Sequence, residues 1–303
     1  MASILKSPLV SVIITTYNRN KYLEECLLSI VNQSYRNIEV FVIDDGSDID
    51  IAKKNKELCR EFLKCNYYYK ENSGQPDSRN YGIKKSKGNY IAFCDDDDYW
   101  VLDKLEKQIE ILNIYPKIGL VSGCIRTVDK NSTLLKEQQC PIIKNNINNF
   151  EYLLIKNRIK SPTPLIRKEV FDKVGLFDTN YTIAEDWEFW RRVSYFYEFY
   201  NTNTVLAYVR IHSNNMTNER TGDALESFLL YRKLTKSLIN WGNLFFSKQD
   251  VKLIYNIEYR IYRKLFMNHC PGLNKKIKLL FRIIRNDCRD MIHLIHLYFS
   301  HVK

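Results

Sequence analysis

Apolar positions along the first hundred residues switch repeatedly between two rhythms. Val10 to Thr15 is a short β-branched run, after which Tyr22, Leu23, Cys26, Leu27, Ile30 and Val31 recur at helical spacing, and Ile38 to Ile43 is a second continuous apolar run. That succession predicts a βαβ unit. The alternation continues through a helix over Ile51 to Leu63, a strand at Tyr67 to Tyr69, a helix over Ser78 to Ser86 and a strand from Tyr90 to Cys94. Strands without polar alternation are covered on both faces, so the pattern predicts a parallel sheet flanked by helices.

After Cys94 come four aspartates, Asp95 to Asp98, and then Asp103 with Glu106 three residues on. The latter pair reads as a carboxylate version of a capping box, opening a helix that carries Leu105, Ile109 and Leu112. The acidic run is therefore a strand-to-helix loop. Ligands of open α/β sheets collect at the carboxyl ends of strands, so Thr15, Asp44, Asp45 and Asp95 to Asp98 should converge on one edge. From Asp129 to Arg158 the chain is rich in Asn and Lys with weak periodicity, which predicts an irregular excursion. Order resumes with a strand around Pro164 to Ile166, a short helix, a turn at Gly175 to Asp178 and a helix from Glu185 carrying Trp187, Phe189, Trp190 and Val193. Beyond His212 the pattern is almost wholly helical. In the last segment Lys278, Arg282, Arg285 and Arg289 form one stripe, and Leu280, Ile284, Cys288, Met291 and Ile295 another, which predicts a basic amphipathic helix.

Length and composition narrow the reading. A chain of 303 residues accommodates one large α/β domain with a smaller appendage, and 45% hydrophobic residues place it among globular chains. The net charge of +11 implies an anionic partner: nucleic acid, a phospholipid surface or a phosphorylated small substrate. Eight cysteines without a C-x-x-C pair read as packed free thiols in a reducing cytosol. The apolar run from Leu9 to Ile14 is too short for a signal-peptide core, and no run is long enough to span a bilayer. The expectation is a cytoplasmic protein whose membrane contact, if any, is peripheral on the inner face of the plasma membrane.

Four consecutive aspartates repel one another by roughly one to several kcal/mol depending on the local dielectric, so something must compensate them. A solvated acidic turn needs no such partner, but this run stands directly after the strand Tyr90-Ile91-Ala92-Phe93-Cys94 and before Tyr99-Trp100, where a divalent cation finds oxygen ligands. Mn²⁺ or Mg²⁺ takes one or two protein carboxylates and completes its shell with water and phosphate, which makes a nucleotide diphosphate the expected companion. Asp95 and Asp97 have the D-x-D spacing for that task.

Five separated motifs occur in order: Val10 to Arg19 (VSVIITTYNR), Val42 to Ser47 (VIDDGS), Asn72-Ser73-Gly74 followed by Ser78 to Ile83, Asp95 to Asp98, and Glu185-Asp186. In these motifs the chain resembles the family 2 glycosyltransferases, inverting enzymes of the GT-A fold, from Pro8 to about His212. The resemblance implies a Rossmann-like, mostly parallel sheet flanked by helices over 1–215, with a basic C-terminal helical extension over 216–303. It implies that Thr15 and Asp45 hold the base, with Tyr17 and Arg79 in the same nucleotide-sugar-binding set and Asp96 on the ribose. Asp97 is implied as metal ligand with Asp95 in support, and His212 as a contact of metal or diphosphate. Asp186 is implied as the general base that takes the acceptor hydroxyl proton, a role compatible with capping a helix. Trp187 and Trp190 either wall the acceptor or pack in the core.

The expected reaction is one in-line displacement, with a UDP-sugar as first-choice donor and a saccharide or lipid-linked saccharide as acceptor, in bacterial surface polysaccharide assembly. A sugar-nucleotide pyrophosphorylase needs a Gly-rich phosphate loop after the first strand, where this chain has Thr15 to Arg19. Nucleic acid lacks any recognition motif. A nucleotide-sugar-binding or membrane-surface protein without transferase activity is the alternative from another class. The tail helix suits an anionic membrane surface, and a homodimer interface or core packing would use the same pattern.

Overall fold

The computed structural model describes residues 7–138, 140, 149–213, 215 and 224–269. In chain order the elements are β1 (Val10–Thr16), α1 (Leu23–Val31), β2 (Ile38–Asp44), α2 (Ile49–Arg60), β3 (Cys65–Tyr69), α3 (Gln75–Lys85) and β4 (Tyr90–Asp95). Then follow β5 (Tyr99–Trp100), α4 (Lys104–Ile114), β6 (Ile118–Val128), β7 (Leu134–Gln138), α5 (Asn149–Ile155), β8 (Leu165–Arg167), α6 (Lys168–Val174), α7 (Glu185–Phe196) and β9 (Glu198–Arg210), and last α8 (Ala224–Gly242) and α9 (Lys248–His269). Two compact units result: one holds the sheet and its helices, and the other takes in α8, α9 and Leu154–Lys156. The predicted tail helix over 278–295 lies outside the described residues.

The sheet runs β3-β2-β1-β4-β8-β6-β9-β5, with β7 on β6. Its first half is the predicted βαβ arrangement: β1 pairs in parallel with β2 and β4, and β2 with β3. The second half is mixed, since β8 is antiparallel to β4 and β6, β5 is antiparallel to β9, and β6 and β9 run parallel. Strand alternation divides the core between two faces. Val10, Val12, Ile14, Val40, Val42, Ala92 and Cys94 pack with Leu23, Leu27 and Ile30 of α1 and Leu105, Ile109 and Leu112 of α4. On the opposite face the ring of Phe41 meets Tyr68, Tyr68 meets Tyr81 of α3, and Phe93 meets Phe171 of α6. Each fully buried Val, Ile, Leu or Phe contributes about 1.5–3 kcal/mol, so these rows fix the register that aligns the strand ends.

The structure corrects several expectations. The stretch predicted as irregular from Asp129 contains β7 and α5. Strands β6 and β9, the longest in the sheet, were not predicted at all. Asp103 is the N-terminal cap residue of α4 but makes no side-chain capping bond; it pairs with Lys107, and Glu106 accepts a bond from Ser34 Oγ. Cys124 and Cys140 form a disulfide, while Cys26, Cys59, Cys65 and Cys94 are free thiols. Among the described residues no helix is long and apolar enough to cross a membrane.

Candidate active site

Pairing of β1 with β2 and β4 sets Thr15 opposite both Ile43 and Asp95, and Thr16 opposite Asp44. The carboxyl ends of three parallel strands thus form one rim, as the alternation predicted. Short β5 pairs antiparallel with the end of β9, Tyr99 opposite Tyr208, which draws Arg210 and His212 back over the loop between β4 and β5. The acidic loop turns tightly, with Asp98 N–H donating to Asp95 O.

Each aspartate of that loop has its own partners. Asp95 Oδ1 accepts from Gln75 Nε2 at 2.7 Å and faces Arg79 Nη2 at 3.2 Å. Asp96 is buried; its Oδ2 accepts from Thr16 Oγ1 at 2.6 Å and its Oδ1 lies 2.8 Å from Arg19 Nη2. Burial raises Asp96 to about 7, against the pull of Arg19, with repulsion from Asp97 adding to the rise. Asp97 Oδ2 meets Arg19 Nη1 at 2.8 Å and His212 Nε2 at 3.1 Å. Asp98 Oδ1 accepts from the backbone N–H of Arg210, and burial holds its carboxyl well above the ordinary range. Arg210, itself buried, also donates from Nε to Asp97 O and from Nη1 to Asp129 O and Ser132 Oγ, and it pairs with Glu25. The protein's own cations therefore supply much of the compensation that the sequence reading assigned to a metal.

Asp44 and Asp45 are likewise occupied. Asp44 accepts from Ser47 N–H, Tyr67 Oη and Asn55 Nδ2. Asp45 accepts from Lys70 Nζ, Ser73 N–H and Ser78 Oγ on one oxygen and from Gly74 N–H on the other, so it braces the turn that opens α3. Gly46 between these segments adopts φ +84°, and a Cβ there would lie 2.7 Å from Asn72 N. Thr15 is buried beside Gln75, whereas the Tyr17 ring is half exposed on the loop after β1.

The fourth side of the site is the start of α7. Its first residue follows Ala184, a non-glycine residue in the left-handed region at φ +63°, a strained approach that aims the first turn. Glu185 Oε1 receives Arg79 Nη1 at 2.8 Å, so one buried guanidinium ties this turn to Asp95 at the end of β4. Burial raises Glu185 to about 6 despite Arg79, and neighbouring Asp186 adds to the rise. Asp186 accepts from Trp187 N–H at 2.7 Å on Oδ1 and from Asn157 Nδ2 at 2.9 Å on Oδ2. Trp187 and Trp190 are both buried, and Trp187 Nε1 donates to Leu153 O.

Thr15, Asp45, Asp95 to Asp98, Arg79, Asp186 and His212 are thus brought to one rim. Within it Asp95 is engaged by Arg79 and Gln75, and both terminal nitrogens of Arg79 serve carboxylates of the protein. Three residues essential to this geometry were given no role by sequence reasoning. Arg19 stands inside the first motif, Arg210 lies two residues before His212, and Asn157 falls in the stretch read as irregular. For Asn157 the sequence offers no signal.

The model of glycosyl transferase family 2 matches residues 11–175. An uncharacterized glycosyltransferase of Rickettsia typhi is 33% identical over 240 residues, covering 76% of this chain and 74% of that protein. A Bacillus subtilis protein named for teichuronic acid biosynthesis, TuaG, is 26% identical over 264 residues, covering 81% of this chain and 97% of its own. Among solved structures, TarS of S. aureus in complex with UDP-GlcNAc superposes with a TM-score of 0.64 at 20% identity, over 91% of this chain and 80% of that one. The mannosyltransferase PcManGT of Pyrobaculum calidifontis, in complex with GDP-Man and Mn²⁺, gives 0.63 at 17% identity, over 98% and 81%. With this sheet, this rim and these relatives, the chain belongs to glycosyl transferase family 2 and is a glycosyltransferase of the GT-A fold.

Proposed function

We propose that the enzyme transfers a sugar from a UDP-sugar to a hydroxyl of a saccharide or lipid-linked saccharide, with inversion, in the assembly of a bacterial surface polysaccharide. One observation carries this reading: the Asp186 carboxylate is fixed by Asn157 and its own helix, and Arg79 binds the neighbouring Glu185 to the end of β4. A base and a phosphate-side rim are thereby held together. The relatives support the choice of partners, since TarS binds UDP-GlcNAc, PcManGT binds GDP-Man and Mn²⁺, and TuaG is named for teichuronic acid biosynthesis.

In the mechanism, Asp186 accepts the acceptor hydroxyl proton as the oxygen attacks the anomeric carbon from the side opposite the nucleotide. Tyr17, exposed beside Thr15, offers a ring for the base, and Asp96 an oxygen for the ribose. Asp97 Oδ2 and His212 Nε2, 3.1 Å apart, would hold a divalent ion; a carboxylate oxygen beside an imidazole nitrogen suits Mn²⁺ better than the oxygen-seeking Mg²⁺. Among the described residues no group of three or more His, Cys, Asp or Glu side chains is arranged to hold a metal. Such an ion supplies charge neutralisation for the departing diphosphate. Arg79 acts by positioning Asp95 and the α7 turn. A peripheral position on a membrane would bring the site to a lipid-linked acceptor.

The test has two stages. Thermal stabilisation by a panel of nucleotide sugars with Mn²⁺ should single out a UDP-linked donor, and preference for a GDP-linked one would overturn that choice. Asp186→Asn should then lower transfer by roughly 10²- to 10⁴-fold while donor binding persists. Turnover near that of the wild type would remove Asp186 from the mechanism, and a product retaining the donor's anomeric configuration would remove inversion.

A further inference from the structure

Asp97 Oδ2 is contested. Arg19 Nη1 lies 2.8 Å from it and His212 Nε2 3.1 Å, so the oxygen that faces the imidazole also carries a guanidinium. A dication coordinated by that oxygen excludes a cationic N–H from the same side, because the two charges would stand within a few ångströms. Under the reading that Asp97 and His212 hold the metal, one of the two cations must leave when the other arrives.

The cations at the rim differ in their freedom. Arg79 and Arg210 are buried and held by several groups each. The Arg19 side chain is 33% exposed, while the carboxylates it touches, Asp96 and Asp97, are 2% and 8% exposed. Its backbone is anchored, since Arg19 O accepts from Thr16 Oγ1 and Asn55 Nδ2. Displacement therefore means rotation of one side chain about a fixed Cα toward solvent, where a bound diphosphate would present its oxygens.

We propose that Arg19 is the resident counter-ion of the acidic loop in the free enzyme, that it competes with the divalent ion for Asp97, and that it passes to the donor's diphosphate when ion and donor bind together. Metal affinity in the absence of nucleotide is thereby suppressed, and nucleotide and metal become positively coupled. A guanidinium suits both tasks, since its planar fork matches carboxylate and phosphate alike.

The experiment measures free Mn²⁺ by electron paramagnetic resonance in titrations of the full chain, with and without UDP. Arg19→Gln should tighten Mn²⁺ binding without UDP by roughly tenfold or more, because a fixed positive charge is removed from beside the ion. The same variant should weaken UDP binding in saturating Mn²⁺, an opposite sign that mere loosening of the fold would not give. Arg19→Lys, which keeps the charge, should tighten Mn²⁺ less; equal tightening would contradict charge competition. Asp97→Asn serves as the control on the site itself. If it leaves Mn²⁺ binding with UDP unchanged, the metal assignment fails and the proposal with it. If Asp97→Asn abolishes binding but Arg19→Gln binds Mn²⁺ no more tightly than the wild type, the assignment stands and the Arg19 proposal alone is overturned.

Discussion

Replacing Arg79 with methionine leaves two carboxylates without the cation they share. In the fold this guanidinium lies 2.8 Å from Glu185 and 3.2 Å from Asp95, over the rings of Phe93 and Phe177. Removing one partner of a buried pair costs about 3–5 kcal/mol. Glu185 permits a closer figure, because burial moves it from 4.5 to about 6, so keeping it ionised at pH 7 already costs about 2 kcal/mol. Without Arg79 its value rises further, and at pH 7 the group can escape by taking a proton, which caps its own penalty at about 3 kcal/mol. The increment from Glu185 is then about 1 kcal/mol at most, and the unpaired Asp95 with the lost ring contacts brings the expected total to about 3 kcal/mol.

The pH profile carries a second signature. A carboxyl whose folded value exceeds its unfolded one binds more protons when folded, so wild-type stability from this group falls as pH rises from 4.5 to about 6 and is level above that. In Arg79→Met the fall should continue through neutrality. Urea unfolding followed by tryptophan emission, which reports on buried Trp187 and Trp190, measures both quantities across about pH 5 to 7. Adding Glu185→Gln should recover about 1 kcal/mol and remove the extra slope. A loss below about 1 kcal/mol with an unaltered profile would refute the clamp and return Arg79 to direct nucleotide binding.

Two further outcomes follow from single positions. Gly46→Ala should destabilise by about 1–3 kcal/mol, since φ +84° disfavours a side chain and its Cβ would strike Asn72 N; an unchanged melting temperature would show that the turn can relax. Lys104 is fully buried, bonded to Gln108 Oε1 and set over the Trp100 ring, and burial lowers it from 10.5 to about 7. The unfolded chain then binds the extra proton between those values, so stability should rise with pH from about 7 to 10.5, and Lys104→Met should flatten that rise. Identical slopes in urea midpoint for the two proteins would exclude the buried amine.

The half of the fold that was legible is the half built from uninterrupted apolar runs. Val10–Thr16, Ile38–Asp44 and Tyr90–Asp95 announce themselves because both their faces are buried. Strands β6 and β9 do not, because their sequences answer to packing instead of periodicity. Gly123 lies so close to Thr202 and Leu206 that a Cβ would come within 2.4 Å of Thr202 Oγ1, and the β6–β9 register shifts three times. Polar Asn201 and Asn203 in β9 break the alternation further. Helix α5 was hidden by the Asn-rich composition around it.

At the site, the carboxylates were visible and their compensation was not. Four aspartates in a row are contiguous by definition, but two of the groups that balance them come from far along the chain: Arg19 is 78 residues from Asp97 and Arg210 is 113, while Arg79 is 16 from Asp95. Reasoning from an acidic run alone therefore overstates the need for a metal, since it sees every negative charge and none of the distant positive ones. What still favours an ion is narrower and does not depend on charge counting. Of the carboxylate oxygens in the loop, Asp97 Oδ2 faces both an imidazole nitrogen and a displaceable guanidinium. An oxygen whose counter-ion can leave for a phosphate is the one best able to exchange it for a dication.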